Sequence, residues 1–360
     1  MDSDGHRAPP VAAGIAASHP ATAEAGLTIL QAGGTAADAA VAAVLTCCVA
    51  ETIYTGLGGG GFATYFDAAS GEVTCLDFFV TVPGTDGDRR PGPMVPVEVF
   101  FGGMPQLYSI GGASVAVPGV TVGCGEVHHR WGRLPWADVV APAAALARTG
   151  APLPETHGRT LVSCAPALAY GDGAAIYQPD GELLRGGDLL FHPGLATALD
   201  ALAEDGPELF HTGAYAKLLV DTVRAAGGAL GPADLAGYQV AETHVDFAML
   251  AGHRVRARHD LNRTVDTIGA LPDSFTGLAP PQRAVAVAAA LRDRGRQKIG
   301  DTTNVSVVDA VGNACVITTT MGLGAGVWLP GLGVNLNSML GEGELITDDL
   351  APGVRMSSNM

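Results

Sequence analysis

Apolar and polar residues alternate from Thr303 to Asp309, and β-branched residues return from Ala314 to Thr320. Asp309, Gly312 and Asn313 supply turn chemistry between them, so the pattern predicts a β-hairpin over 303–320. A second pattern lies near the start. Ala36 to Leu45 is almost wholly small and apolar, with Thr35 and Asp38 spaced as a capping box and Gly33-Gly34 ahead of them. A helix of such small residues approaches other backbone closely, and we expect it to be buried. Phe62–Asp67 and Val73–Phe79 read as strands about a turn at Ala69-Ser70-Gly71. Helices are expected at Trp136–Arg148, Leu195–Glu204 and Tyr215–Ala226, closed by Gly150, Gly206 and Gly227. Residues 260–284, with Pro272, Pro280 and Pro281, read as loop; Ala284–Asp293 is alanine-rich and the chain then turns charged through Lys298. No repeat and no clean linker interrupts this order, which points to one continuous α/β fold.

Composition narrows the function. The 360 residues are 48% hydrophobic and 16% charged, enough for a sizeable core. The net charge of −16 excludes nucleic acid and anionic membrane surfaces as partners. Met1-Asp2-Ser3-Asp4-Gly5 opens no secretory signal, and the apolar run Ala36–Ala50 is interrupted by Asp38 and too short for a bilayer. A cytoplasmic protein is expected. Its six cysteines lack C-x-x-C spacing, which favours reduced, buried thiols. Its ten histidines lack ligand spacing, and His128-His129 diverge on any regular element, so neither metal nor cofactor is expected.

Gly56-Leu57-Gly58-Gly59-Gly60-Gly61 matches G-x-G-x-x-G, but a helix precedes it and a strand follows, the reverse of a dinucleotide site. No Lys-Ser/Thr follows either, so the run reads as a close-approach backbone passage. No G-x-S-x-G elbow and no H-E-x-x-H occurs. There remains Thr302, at the mouth of the predicted hairpin. Threonine at a strand start is ordinarily structural. It becomes a nucleophile if the peptide bond before it is cut, because it then carries its own base, a free α-amino group.

Four blocks bear on that choice: His19-Pro20 with Gly33–Ala42; Gly56–Phe62; Asp301–Asp309 with Gly312-Asn313-Ala314 and Thr320; and Pro352–Met360. In these blocks, and more weakly at Gly206-Pro207 and Ala233–Tyr238, the chain resembles the γ-glutamyltransferase (γ-glutamyltranspeptidase) family, in family order over nearly its whole length. The resemblance implies a four-layer αββα sandwich of the N-terminal-nucleophile hydrolase type. It implies a precursor cut between Asp301 and Thr302, with 1–301 the large-subunit-like region and 302–360 the start of a small-subunit-like region that stays its partner. Thr302 would be the nucleophile and Thr320 the second threonine whose hydroxyl supports it. Ser357 and Ser358 match the serine pair that contacts a substrate carboxylate.

Departures from the family pattern fall in the substrate pocket. Phe79 stands where the family's arginine follows Leu-Asp-Phe, so a bidentate clamp for a carboxylate is replaced by an aromatic wall. Gly322 replaces an asparagine, and Met339 and Glu342 stand where the family holds an α-amino group. The expected activity is hydrolysis of a small molecule other than a plain γ-glutamyl amide. An actinobacterial branch of the family, in alkylproline-type antibiotic pathways, is associated with carbon–carbon bond hydrolysis, and the chain resembles such a member. Two alternatives stand beside this reading. In an ordinary γ-glutamyl hydrolase or transpeptidase, Arg89, Arg90 or Arg355 would replace the clamp. A catalytically inactive relative or fragment would fit a sequence that stops at Met360, short of the family's further strands and its Gly-Gly oxyanion pair.

Overall fold

The computed structural model describes residues 12–101, 103–259, 263–292 and 302–358. The helix expected after Thr35 runs over Ala36–Ala50 (α2), behind Pro20–Gln31 (α1). Thr35 and Asp38 form the capping box read from their spacing. Every residue of α2 is buried, Asp38 and Thr46 included, as expected of a helix that is apolar nearly all round. Asp38 does more than cap. Its carboxylate also accepts the backbone N–H of Arg133 (3.0 Å), which fastens the turn between Val120–Trp131 (α3) and Trp136–Thr149 (α4) to the start of α2.

The helix lies on a six-stranded, wholly antiparallel sheet. Its strands are Gly14–Ala16 (β1), Gly60–Phe66 (β2), Val73–Phe78 (β3), Ala241–Thr243 (β4), Thr303–Val308 (β5) and Ala314–Thr320 (β6), in the order β1-β5-β6-β2-β3-β4. The predicted hairpin β5–β6 therefore sits inside the sheet. Strand alternation divides its residues between two faces. Ala63, Tyr65, Leu76, Val305, Val307, Cys315 and Ile317 point to α2 and share its core. Thr64, Asn304, Ser306, Val316 and Thr318 point the other way and remain partly or fully exposed. A hairpin of Val245–Leu250 and His253–Arg258 lies beside that second face.

The fold class is mixed α/β, as the element pattern indicates. The three helices read from glycine-closed periodic segments are present, at Trp136–Thr149, Leu195–Asp205 and Gly213–Ala225. The expected loop over 260–284 is a correction: Thr264–Gly269 and Pro280–Arg292 are helical. Pro280 and Pro281 were read as helix breakers, yet proline is suited to a helix's first turn, where its missing N–H has no partner to lose. All six cysteines are buried, and among the described residues none forms a disulfide. Among the described residues no helix is long and apolar enough to cross a membrane.

Candidate active site

The glycine run places the site. Ideal Cβ atoms at Gly58, Gly59 and Gly61 would collide with Asn335 O, Thr320 O and Thr318 O respectively. The run is thus the close passage read from its context, laid against the backbone of β6. We expect Gly59→Ala to destabilise the protein by about 3 kcal/mol, because neither backbone can retreat without breaking the β2–β6 ladder. Thermal unfolding checks this, with Gly237→Ala as control, where nothing lies within 4 Å of the added carbon.

The ladder pairs Thr303 with Thr319 and Thr320 with Gly60; Thr302 and Thr320 come one step beyond the last β5–β6 pair. Thr303 and Thr319 both point toward α2. Thr303 Oγ1 donates to Glu51 Oε2 (2.6 Å), and Thr319 Oγ1 accepts from Thr55 Oγ1 (2.9 Å). By alternation Thr302 and Thr320 belong to the opposite face. Thr302 is half-buried and Thr320 is buried, its Oγ1 accepting the N–H of Gly322 at 3.0 Å. Asp301, the other half of the expected cut, lies outside the described residues.

The predicted pocket residues fall into two adjoining groups. In the first, Gly322 has φ +63°, and a Cβ there would collide with Glu342 Oε1 and approach Ser338 Oγ to 2.6 Å. The buried Glu342 carboxylate therefore fills the space where a side chain at 322 would begin. Gly322 and Glu342, both expected to depart from the family pattern, thus share one space. In the second group, Phe79 and Met339 pack in a single apolar cluster with Phe62, Val80, Ala116 and Met356. Phe62 stacks on Phe79, ring centroids 5.3 Å apart and 16° from parallel. Gly60 joins the groups: it is paired with Thr320, and its ideal Cβ would lie 3.1 Å from the Phe79 Cα.

Ser357 is exposed and Ser358 buried. They follow a segment that runs antiparallel to residues 80–82, with Met356 N donating to Val80 O (3.0 Å) and Val82 N to Val354 O (2.9 Å). Arg355, on that segment, is fully engaged. Its Nη1 lies 3.5 Å from Asp77 Oδ1 and donates to the Tyr238 hydroxyl (3.0 Å) and to Phe79 O; its Nη2 donates to Gln239 O. Arg89 and Arg90 are exposed. Arg258, which the sequence did not single out, sets Nη1 2.8 Å from Asp77 Oδ2 and its guanidinium 4.6 Å from the Phe62 ring centre. Burial pushes the Asp77 carboxyl above the usual range, against the pull of Arg355 and Arg258.

Two further residues were missed. Asn337 is fully buried; its Nδ2 donates to Gly58 O (2.8 Å) and Ala116 O (2.9 Å), and its Oδ1 accepts from Ala116 N (3.0 Å). It ties the glycine run to the apolar cluster. The repeated asparagine in Asn335-Leu336-Asn337, inside an apolar stretch, is the signal that could have flagged it. The other is Glu51, a lone carboxylate that closes the most apolar helix of the chain.

This fold recurs in solved structures of acylases. A cephalosporin acylase from Bacillus halodurans superposes with a TM-score of 0.74 at 22% identity, over 100% of this chain and 77% of that one. The chain has the mixed α/β fold of that protein. The family model described as Gamma-glutamyltranspeptidase matches residues 22–258, and the chain belongs to the gamma-glutamyltranspeptidase family. Among curated relatives, Glutathione hydrolase proenzyme 1 of Schizosaccharomyces pombe is 33% identical over 60% of this chain and 33% of its own length. The Acylase ACY 1 proenzyme of a Pseudomonas species is 33% identical over 63% of this chain and 41% of its own. The chain spans well under half the length of these two relatives.

Proposed function

We propose that the chain is a self-processing N-terminal-threonine hydrolase acting on a small molecule other than a plain γ-glutamyl amide. The observation that carries this is Phe79, sealed into an apolar cluster with Met339 where a carboxylate clamp would have to reach. In maturation, Thr302 Oγ1 attacks the carbonyl of Asp301. The acyl group passes from nitrogen to oxygen, and water hydrolyses the ester. The freed α-amino group, with a reference pKa of about 7.7–8.0, then serves as base for the same hydroxyl. In turnover that hydroxyl attacks the substrate carbonyl, the amine or carbon leaving group departs with a proton, and water releases the acyl product. Thr320 supports the nucleophile, and Ser357 and Ser358 bind substrate beside Phe79, Gly322, Met339 and Glu342.

The cut would leave 302 onward bound to the rest, because β5 and β6 occupy the interior of the sheet, between β1 and β2. The exposed second face of that sheet is where the other half of a four-layer αββα sandwich would pack. Six buried cysteines outside any disulfide fit a reducing, cytoplasmic setting. The similarity to acylases favours amide hydrolysis or, by the family resemblance, carbon–carbon hydrolysis in antibiotic biosynthesis. The rival reading, glutathione-type γ-glutamyl hydrolysis, draws on the similarity to a glutathione hydrolase and on two cations near the pocket. Both of those, Arg258 and Arg355, are held against Asp77.

A substrate panel decides between them. We expect no product from a γ-glutamyl anilide at millimolar concentration, and release from at least one N-acyl amide or acyl ketone lacking a glutamyl group. Steady turnover of the anilide with none of the others would overturn the reading.

A further inference from the structure

Glu51 sits where helix electrostatics disfavour a carboxylate. It is the C-cap of α2, at the negative end of the helix dipole, and it is 0% exposed. Burying a charge there is costly unless donors surround it. The donors come from separate elements. Thr22 of α1 donates to Oε1 (2.9 Å), and the Cys47 thiol lies 3.3 Å from the same oxygen. Thr303, the first residue of β5, donates to Oε2 (2.6 Å), and so does Ser18, just past β1. Ser18 Oγ and Thr303 Oγ1 are also 2.8 Å from one another. β1 pairs along β5 from Gly14↔Val308 to Ala16↔Ser306, so Ser18 stands at the entry of the strand that Thr302 precedes.

This is an expensive way to fasten a strand. A well-packed apolar contact would stabilise the fold at least as well, so stability alone does not account for a buried carboxylate. What the carboxylate adds is direction. It fixes the side chain of Thr303 toward α2, and strand alternation then turns Thr302 out of the other face. We propose that Glu51 is the positioning residue of the nucleophile: through Ser18 and Thr303 it holds the entry of β5 so that Thr302 addresses the face of Thr320. The proposal rests on the reading of Thr302 as nucleophile. Glu51 does not touch the reacting atoms; it acts through its neighbour.

The chain's own Asp301–Thr302 bond is the probe. Full-length protein is made by cell-free synthesis, and its self-cleavage is followed by intact mass against time. Thr303→Ser keeps the hydroxyl and loses the methyl; Thr303→Val keeps the shape and loses the donor. We expect Thr303→Val and Glu51→Gln to cut about 10- to 100-fold more slowly, the scale set by a misplacement of about 1 Å. Thr303→Ser should retain most of the rate. The melting temperature of Glu51→Gln should stay near wild type, because the surrounding hydroxyls can reverse their bonds to meet an amide, whereas Thr303→Val, which takes a donor from the buried carboxylate, should melt somewhat lower. A packing role predicts the reverse order, with valine tolerated and serine slowed, and that order overturns the proposal. Should Thr303→Val fail to fold, Ser18→Ala removes one donor to the carboxylate and leaves Thr303 intact; cutting at the wild-type rate overturns the proposal equally. The two failures stay distinguishable. An uncut wild type, or a Thr302→Ala chain cut as fast as wild type, defeats the nucleophile reading itself; normal cutting in Glu51→Gln with an inert Thr302→Ala defeats the positioning role alone.

Discussion

Thr302→Ala is expected to leave the chain in one piece and to lower turnover of any substrate by at least ~10³-fold. The size of the effect follows from economy of parts. On the proposed reading, one residue supplies the hydroxyl that attacks in maturation, the hydroxyl that attacks substrate, and the amine that serves as its base. Removing the hydroxyl stops the first step, so the amine is never released. Thr302→Ser should cut slowly and retain part of the activity, because a primary hydroxyl takes the same place without the methyl that limits its rotamers. The fold should be indifferent to either change. Thr302 is half-buried and precedes β5, so the loss of stability should stay below about 1 kcal/mol. Intact mass and a thermal melt of the same sample separate the two effects. A Thr302→Ala chain that appears as two fragments meeting at 301/302 would remove Thr302 from the chemistry.

Acid should weaken the protein before most of its carboxylates titrate. Burial pushes His192 and His211 down to about 4 from an ordinary value of 6.5. His192 Nε2 meets the Thr52 hydroxyl at 2.9 Å, and its ring packs between Tyr177 and Trp328. His211 Nε2 meets Pro118 O at 3.0 Å, so that nitrogen carries the proton of the neutral ring. Both groups have a folded value below the unfolded one. Between about 6.5 and 4 the unfolded chain binds protons that the folded chain refuses. The stability they confer is complete above 6.5 and declines as pH falls, at about 1.4 kcal/mol per pH unit for each ring and roughly twice that for both. Urea unfolding at pH 6.5 and pH 5 measures the slope in a window above the ordinary carboxylate values. His211→Gln should reduce it by about half. A flat profile across that window would contradict the burial of these two rings.

Much of the site was legible because it is built from local rules. The hairpin at 303–320 follows from alternation around an Asp-Gly-Asn turn, and α2 from a capping box and a run of small residues. The Gly56–Gly61 passage was read correctly from the order of its neighbours, helix before and strand after. Where local rules carried two meanings, the reading went astray. Pro280-Pro281 breaks a helix in its interior and begins one at its edge, and only the observed helix chooses. Glu51 was passed over because an isolated polar residue beside an apolar helix has no periodicity to mark it, and Asn337 because the repeated asparagine of Asn335-Leu336-Asn337 was not weighed.

By itself, the sequence determined the four inner strands of the sheet, the main helix, the glycine approach and the threonine at a strand entry. All of these depend on dihedral preference, capping and side-chain period within a few residues. The tertiary structure decided everything that depends on closing long stretches of chain. It brought Ser18 and Thr303, 285 residues apart, onto the Glu51 carboxylate. It set Arg258 and Arg355 on Asp77, and it placed Glu342 in the space a side chain at Gly322 would need. Such contacts are fixed by which surfaces meet when the core forms. Local propensity therefore places Thr302 at the entry of a strand, and the packed fold decides what holds that entry.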